Sequence, residues 1–364
     1  MIHGGEIMKI KSWHYILIAL VILELFKGAI WLGYTHNYDK GRVEIAVKDN
    51  DAWQYQYIAG QDLYEALQIA LMSEQKATIE GKVNEEVVCV GTNSYYLQGD
   101  NLEMTLGTFL NKQQVANGSN VVIISDVLAF KLFGSTQAVG NRCKINEHYY
   151  DVGGVYKRYT NLMSNIADTG EEKIYVPITS TAVETLKVEK MLFVENELGQ
   201  DIEKYNLEAL GLNEESSYIN NQLDAPQKGK NLLRLTWLIV AMIYMAYVIG
   251  VIGKAMMTHR LREMNIPVKR FIEYIVVSIV LFYLGIKGFY IKPDIIPPEN
   301  IFDWSFYWHY FKETCMQSNY FMKLQLSHFT SVYHIMSQTF IQITILEVIL
   351  CIFVIRYRHK VITK

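Results

Sequence analysis

Residues 13–34 read WHYILIALVILELFKGAIWLGY, with Glu24 and Lys27 as the only formal charges. A helix rising 1.5 Å per residue needs about 20 residues to cross a hydrocarbon core of roughly 30 Å, and this stretch is long enough. A cleaved signal peptide is the competing reading. No small-x-small site follows Leu23, however, and the apolar pattern resumes through Trp31, so the sequence reads as an uncleaved anchor.

Working outward, three further stretches meet the same length criterion. Residues 235–253 carry no charge, residues 271–291 have Glu273 near one end and Lys287 near the other, and residues 335–355 contain Glu347. The composition agrees: 51% hydrophobic and 20% charged is too apolar for an ordinary soluble chain and averages two unlike parts. With 34 basic against 37 acidic residues the net charge is -3, so no global positive field argues for nucleic-acid binding. The four cysteines form no close pair, which excludes a disulfide-dense scaffold and a CxxC zinc or redox site.

Basic residues resist translocation, so their distribution orients the spans. Lys9 and Lys11 precede the first; Lys254, Arg260, Arg262, Lys269 and Arg270 separate the second and third; Arg356, Arg358, Lys360 and Lys364 follow the fourth. These segments are expected in the cytoplasm, with residues 35–231 and 292–334 outside. His3-Gly4-Gly5-Glu6 ahead of Met8 reads as a translated ribosome-binding site, which would make Met8 the start.

The outside segment alternates β-branched runs with helical patterns. Strands are expected at 42–48, 86–91, 121–124, 174–178 and near Tyr218, and helices at 61–72 and 198–210. Ser125 is placed to cap a helix ending at Gly134. Residues 142–145 and 149–156 flank Asn146-Glu147-His148 as a hairpin, and Pro177 confines its strand to an edge or an end.

The order Gly107-Thr108-Phe109, Val121-Val122-Ile123-Ile124-Ser125, Leu132-Phe133-Gly134, Val139-Gly140-Asn141, Tyr150-Asp151-Val152-Gly153-Gly154-Val155 and Ile174-Tyr175-Val176-Pro177 resembles the periplasmic core domain of MacB-type ABC transporter permeases. That family includes the MacB exporters, the lipoprotein-releasing LolC/LolE proteins and the divisome protein FtsX. The resemblance implies an α+β membrane protein with four transmembrane helices and a large extracytoplasmic mixed α/β domain inserted between helices 1 and 2. Its parts would be an N-terminal segment and helix 1 at 1–34, the core domain at 35–231 and helix 2 at 232–253. A cytoplasmic coupling segment at 254–270, helix 3 at 271–291, an extracytoplasmic aromatic loop at 292–334, and helix 4 with a cytoplasmic tail at 335–364 would follow. The outside loop between helices 3 and 4 departs from the family pattern, which uses a shorter connection.

The resemblance further implies a homodimer, or a heterodimer with a related permease, in a bacterial plasma membrane. A separate ABC ATPase would bind the ATP, and its motion would be transmitted to the outer domain. A membrane-fusion protein or another extracytoplasmic protein is an implied partner. Residues 258–271 sit where the family places its ATPase-docking coupling helix, which makes Arg260, Arg262, Glu263, Met264, Asn265, Ile266, Pro267, Lys269 and Arg270 the expected ATPase contacts. The competing reading is a basic flank touching lipid headgroups. Gly229-Lys230 is followed by Asn231 and lacks the upstream glycine of a phosphate-binding loop, so no ATP site is expected in this chain.

Glu24 and Lys27 are three residues apart, on one helical face, and are expected to pair. Glu347 has no oppositely charged neighbour in sequence. The run IFDWSFYWHYF at 301–311 is dense in rings that favour the headgroup layer, and a contact site for a lipidic or peptide substrate is the sharper alternative. His309, Cys315, His328 and His334 are too dispersed to suggest metal ligation. Cys89 and Cys143 would face a compartment where a disulfide persists, and the sequence leaves their pairing open. No GxSxG, HExxH or paired carboxylates point to hydrolytic chemistry. The expected function is therefore that of a non-catalytic permease subunit, used for export of peptide, antimicrobial or lipophilic substrates. The alternatives are an FtsX-like regulator of an extracytoplasmic cell-wall hydrolase and a membrane-anchored receptor without an ATPase.

Overall fold

The computed structural model describes residues 19–20, 22–35, 40–47, 53–60, 62–100, 102–159, 162–168, 170–183, 187–194, 217–222, 227–235 and 238–239, six positions between 276 and 287, and residues 296–297, 299–321 and 327–362. The expected helix at 198–210, the segment at 254–270, residues 13–18 and 21 of the first span, and most of the spans at 235–253 and 271–291 lie outside the described residues. The chain divides into two compact units. A sheet unit comprises Gly33–Pro226 with Gln317–Tyr333, and a helical unit comprises Met1–Leu32, Gln227–Met316 and His334–Lys364.

Twelve strands are described in the sheet unit: β1 (Arg42–Val47), β2 (Trp53–Gln54), β3 (Ala70–Glu80), β4 (Asn84–Thr92), β5 (Met104–Gly107), β6 (Val121–Ser125), β7 (Arg142–Ile145), β8 (His148–Tyr156), β9 (Lys173–Pro177), β10 (Lys187–Val188), β11 (Lys190–Val194) and β12 (Ser217–Gln222). Ten form one mixed sheet in the order β12-β1-β11-β3-β4-β9-β6-β8-β5, with β7 pairing β3 and β8, while β2 and β10 form a separate ribbon. The β4·β9 and β6·β8 pairs are parallel. Pro177 ends β9, an interior strand, and the Ile178 N–H just beyond it still donates to the Thr92 carbonyl of β4 at 2.9 Å.

Strand alternation sends neighbouring residues to opposite faces, and both faces are buried. Val88, Val90, Ile123 and Tyr175 join one apolar cluster, whereas Val87, Cys89, Val122, Ile124, Ile174 and Val176 join the other. Leu128, Ala129 and Leu132 of the helix Asp126–Phe133 cover the second cluster. That helix starts where expected: Ser125 Oγ accepts from Leu128 N–H at 2.9 Å, and Gly134 closes it in the left-handed conformation. Gly107 and the Gly153-Gly154 pair have an equally local cause. Gly107 has φ +69°, and a Cβ there would lie 2.3 Å from the Gly153 carbonyl oxygen, so β5 reaches β8 only because no side chain intervenes.

Three expectations need correcting. The helix expected at 61–72 ends at Ala66; Gln68 takes φ 52°, and residues 70–72 open β3 with all three side chains buried. Apolar residues that suit one helical face equally suit a strand buried on both faces, and burial decided for the strand. The hairpin turn is two residues, Asn146 and Glu147, both with positive φ, and His148 already pairs with Ile145. The loop expected at 292–334 contains a helix, Trp304–Phe321, and the final helix starts at His328 and runs to Ile362. Residues 317–333 of that segment belong with the sheet unit.

Candidate functional site

In the helical unit two charged side chains, Lys27 and Glu347, are wholly buried while many large apolar side chains are exposed. Lys27 Nζ lies 2.9 Å from Glu24 Oε1 and 2.9 Å from Glu347 Oε2; the Lys27 and Glu347 side chains are 0% exposed. The i,i+3 spacing predicted the first pair. The second joins residues 320 positions apart, so the carboxylate that lacks a neighbour in sequence finds its cation through the fold. The one signal in the sequence was that Glu347 stands in an apolar segment with no oppositely charged neighbour, which says that it needs a partner and not which.

At 100° per residue, Ile22, Leu25, Phe26 and Leu32 occupy one exposed face of the first helical run, and Lys27, Ile30 and Trp31 are buried on the other. On the final helix Ile341, Ile345, Leu346, Ile349, Ile352 and Phe353 are exposed, whereas Met336, Phe340, Thr344 and Glu347 are buried. Val276, Ile279, Val280, Tyr283 and Ile286 are likewise exposed at helical spacing. Water would oppose this arrangement and hydrocarbon favours it. Among the described residues, the helical stretch His328–Phe353 is long and apolar enough to cross a bilayer.

The sheet unit holds a second constellation, which the sequence did not suggest. Arg42 and Glu44 alternate with apolar residues in β1 as solvent-facing residues would, yet they are only 4% exposed. Glu44 accepts from Ser327 N–H at 2.9 Å, Ser327 Oγ at 3.1 Å and Thr330 Oγ1 at 2.7 Å. Asp100 accepts from Phe329 N–H at 3.0 Å and from Tyr96 Oη at 2.9 Å. The Arg42 guanidinium lies 4.3 Å above the Phe329 ring and donates to the Gly99 carbonyl at 2.6 Å. Two acidic side chains therefore satisfy amide donors at the N-terminus of the final helix, where the helix dipole also favours negative charge. The only local hint was Ser327, a good cap residue, immediately before His328.

The seat continues as a row of alternating charge across the sheet. Lys190 Nζ lies 2.8 Å from Glu74 Oε2, and Lys173 Nζ lies 3.4 Å from Glu74 Oε1. Burial pushes the Glu44 carboxyl above its ordinary range, with the Thr330 hydrogen bond and the Lys190 charge opposing. Burial acts in the same direction on Glu74, but Lys173 and Lys190 outweigh it and hold that carboxyl below the ordinary range.

Of the other candidate residues, Arg260, Arg262, Glu263, Met264, Asn265, Ile266, Pro267, Lys269 and Arg270 lie outside the described residues. Cys89 and Cys143 are free and buried, with burial pushing each thiol up to about 12, so they form neither a disulfide nor a reactive thiolate. No three His, Cys, Asp or Glu residues are grouped to hold a metal ion among the described residues.

Residues 34–206 match the family described as the MacB-like periplasmic core domain. Solved structures with similarity to the chain include the extracellular domain of the noncanonic ABC-type transporter YknZ from Gram-positive bacteria. It is 18% identical, covering 50% of this chain and 100% of that one, with a TM-score of 0.39. The periplasmic region of MacB from Actinobacillus actinomycetemcomitans is 12% identical over 51% of this chain and 91% of its own, with a TM-score of 0.41. A domain of a putative permease protein from Porphyromonas gingivalis is 16% identical over 52% and 94%, with a TM-score of 0.33. No curated protein matches the chain. The family match covers residues 34–206 of the sheet unit, so the chain carries a MacB-like periplasmic core domain, and the same chain carries an apolar helix of spanning length.

Proposed function

We propose that this chain is the non-catalytic membrane subunit of an ABC system in which a separate ATPase moves the sheet unit on the far side of the membrane. One observation carries the reading: a MacB-like periplasmic core domain shares a chain with helices that expose aliphatic stripes and bury Lys27 with Glu347. The helix whose first turn is seated on Glu44 and Asp100 is the same helix that carries Glu347, so it is a covalent route for motion between the units. Residues 254–270 would meet the ATPase through Arg260, Arg262, Glu263 and the Met264-Asn265-Ile266-Pro267 turn. Four spans and a dimer complete the proposed architecture, and export of a peptide, antimicrobial or lipophilic substrate is the proposed use.

The test is co-purification of the tagged protein from its native host in mild detergent, with bound proteins identified by mass spectrometry. An ABC ATPase is expected with the wild-type chain, and its recovery should fall in Arg262→Glu and Glu263→Ala. Absence of any ATPase, under conditions that retain other membrane complexes, would overturn the reading in favour of an anchored receptor.

A further inference from the structure

The helix Trp304–Phe321 is divided into three sectors over its described side chains. At 100° per residue, Trp304, Trp308, Phe311 and Cys315 fall within a narrow sector, and all four are exposed, Trp304 at 80% and Trp308 at 69%. On one side lie Ser305, His309, Lys312 and Glu313, also exposed, with His309 Nε2 3.9 Å from Glu313 Oε2 and with Met316 as the one exposed apolar residue described among them. On the other lie Phe306, Tyr307 and Tyr310, each partly buried, with Thr314 exposed among them and donating to the Tyr310 carbonyl at 2.8 Å. Asp303 fixes the start of the helix by accepting from Ser305 N–H at 2.9 Å and Phe306 N–H at 3.3 Å. Ahead of it Ile301 and Phe302 are exposed as well.

We propose that this helix lies flat in the headgroup layer of the outer leaflet, with Trp304, Trp308, Phe311 and Cys315 facing the acyl chains and Lys312, His309 and Glu313 facing water. The proposal rests on the membrane reading of the helical unit. The occupant follows from a chemical contrast within that unit. The exposed stripes on the first and final helices are built mainly from Ile, Leu and Phe, suited to hydrocarbon. The stripe on this helix is led by two tryptophans, amphipathic rings that settle where apolar and wet environments meet. A spanning helix needs no charged sector, whereas a helix lying in the interface needs a polar face beside an apolar one. On the third side Tyr307 meets the Trp304 and Phe306 rings edge-on and donates to the Ile301 carbonyl at 2.9 Å, so part of that burial comes from the segment itself.

The test uses the full chain in vesicles of phosphatidylethanolamine and phosphatidylglycerol. Single nitroxides are placed in turn at positions 304, 305, 308, 309, 311, 312, 313 and 315, with Cys351 and, where not the labelled site, Cys315 replaced by Ser. Cys89 and Cys143 are buried and stay unlabelled under native conditions. Collision with oxygen should be severalfold more frequent at 304, 308, 311 and 315 than at 305, 309, 312 and 313, and collision with a neutral nickel chelate should follow the opposite pattern. High nickel access at all eight positions would overturn the proposal by placing the stripe in water. Exclusion of both reagents at 304, 308 and 311 would overturn it by placing a protein there. A label in Ile345→Cys separates the two levels: if it meets oxygen and the helix fails, only this inference falls, and if it meets the nickel chelate the membrane reading itself falls. Should cysteine at 304 or 308 block folding, quenching of tryptophan fluorescence by shallow-brominated lipid should drop in Trp304→Phe/Trp308→Phe relative to wild type; equal quenching would overturn the proposal.

Discussion

The two units solve opposite solvent problems with the same residue types. In the sheet unit Ile, Val and Leu fill both faces of a ten-stranded sheet. In the helical unit Ile345, Ile349 and Leu346 point outward while Lys27 and Glu347 are wholly buried. The difference teaches that burial alone does not identify the core of a membrane protein. A buried charge is tolerated where its partner is buried with it, and an exposed isoleucine is favourable where the surroundings are hydrocarbon. The sheet unit repeats the first device in milder form, since Glu44, Glu74, Lys173 and Lys190 lie in or beside its core with partners supplied.

The sharpest way to break this comparison is Lys27→Leu, which removes the ammonium and leaves Glu24 and Glu347 facing each other's charge. Breaking a buried pair on one side costs about 3–5 kcal/mol, expected as a loss of folded protein in a denaturing-detergent titration. The double change Lys27→Leu/Glu347→Leu should recover much of that loss. If the single change is silent, the clasp does not hold the helices together. In the sheet unit the matching change is apolar: Leu71→Ala, at a position with 0% exposure, should cost about 2–5 kcal/mol. Urea unfolding monitored through the sheet signal reads it, and Ile349→Ala on the exposed stripe should leave that signal unmoved.

Ser125→Ala removes the cap to Leu128 and the hydrogen bond to Glu172 Oε2 at 2.8 Å. It should lower stability by about 1–2 kcal/mol, whereas Ser125→Asp should restore the cap but repel Glu172, so its recovery should be incomplete. The pH response of the sheet unit sharpens the comparison further. Glu74 is held below the ordinary carboxylate range, so its contribution is present above that range and is lost as pH falls through it toward the lower folded value. Glu44 is raised, so its contribution is present in acid and is lost as pH rises through its folded value. Glu74→Gln should therefore flatten the acid limb of stability against pH, and Glu44→Gln should flatten the limb above it. The smallest effect is chemical: Cys89 and Cys143, both buried and pushed up to about 12, should resist iodoacetamide until the sheet unit unfolds.

Much of the sheet unit was legible because its signals are local. Val121 to Ser125 reads as a strand and cap from adjacent residues, and Gly134 and the Asn146-Glu147 turn need nothing beyond their own backbone conformations. The misread stretch at 61–72 shows where local reading stops. Ile69, Ala70, Leu71 and Met72 are apolar in succession, a pattern that fits a buried helix or a strand covered on both faces. The loop at 292–334 was misread for a related reason. Its aromatic residues advertise an affinity for interfaces, and that affinity does not specify whether the backbone beneath is helical.

By itself the sequence determined the apolar segments, the charge asymmetry around them, the strand periodicities and the glycine and cap positions, because each depends on neighbours within a turn or two of chain. Only the tertiary structure decided that Lys27 meets Glu347 and that Glu44 and Asp100 cap the final helix at Ser327 and Phe329. Those partners are separated by more than two hundred residues, and a side chain's charge carries no label for a distant counterion. A carboxylate in an alternating strand looks solvated until a helix end arrives to cover it. Burial then makes the meeting obligatory, since a charge removed from water must find a compensating donor or cation within hydrogen-bond reach.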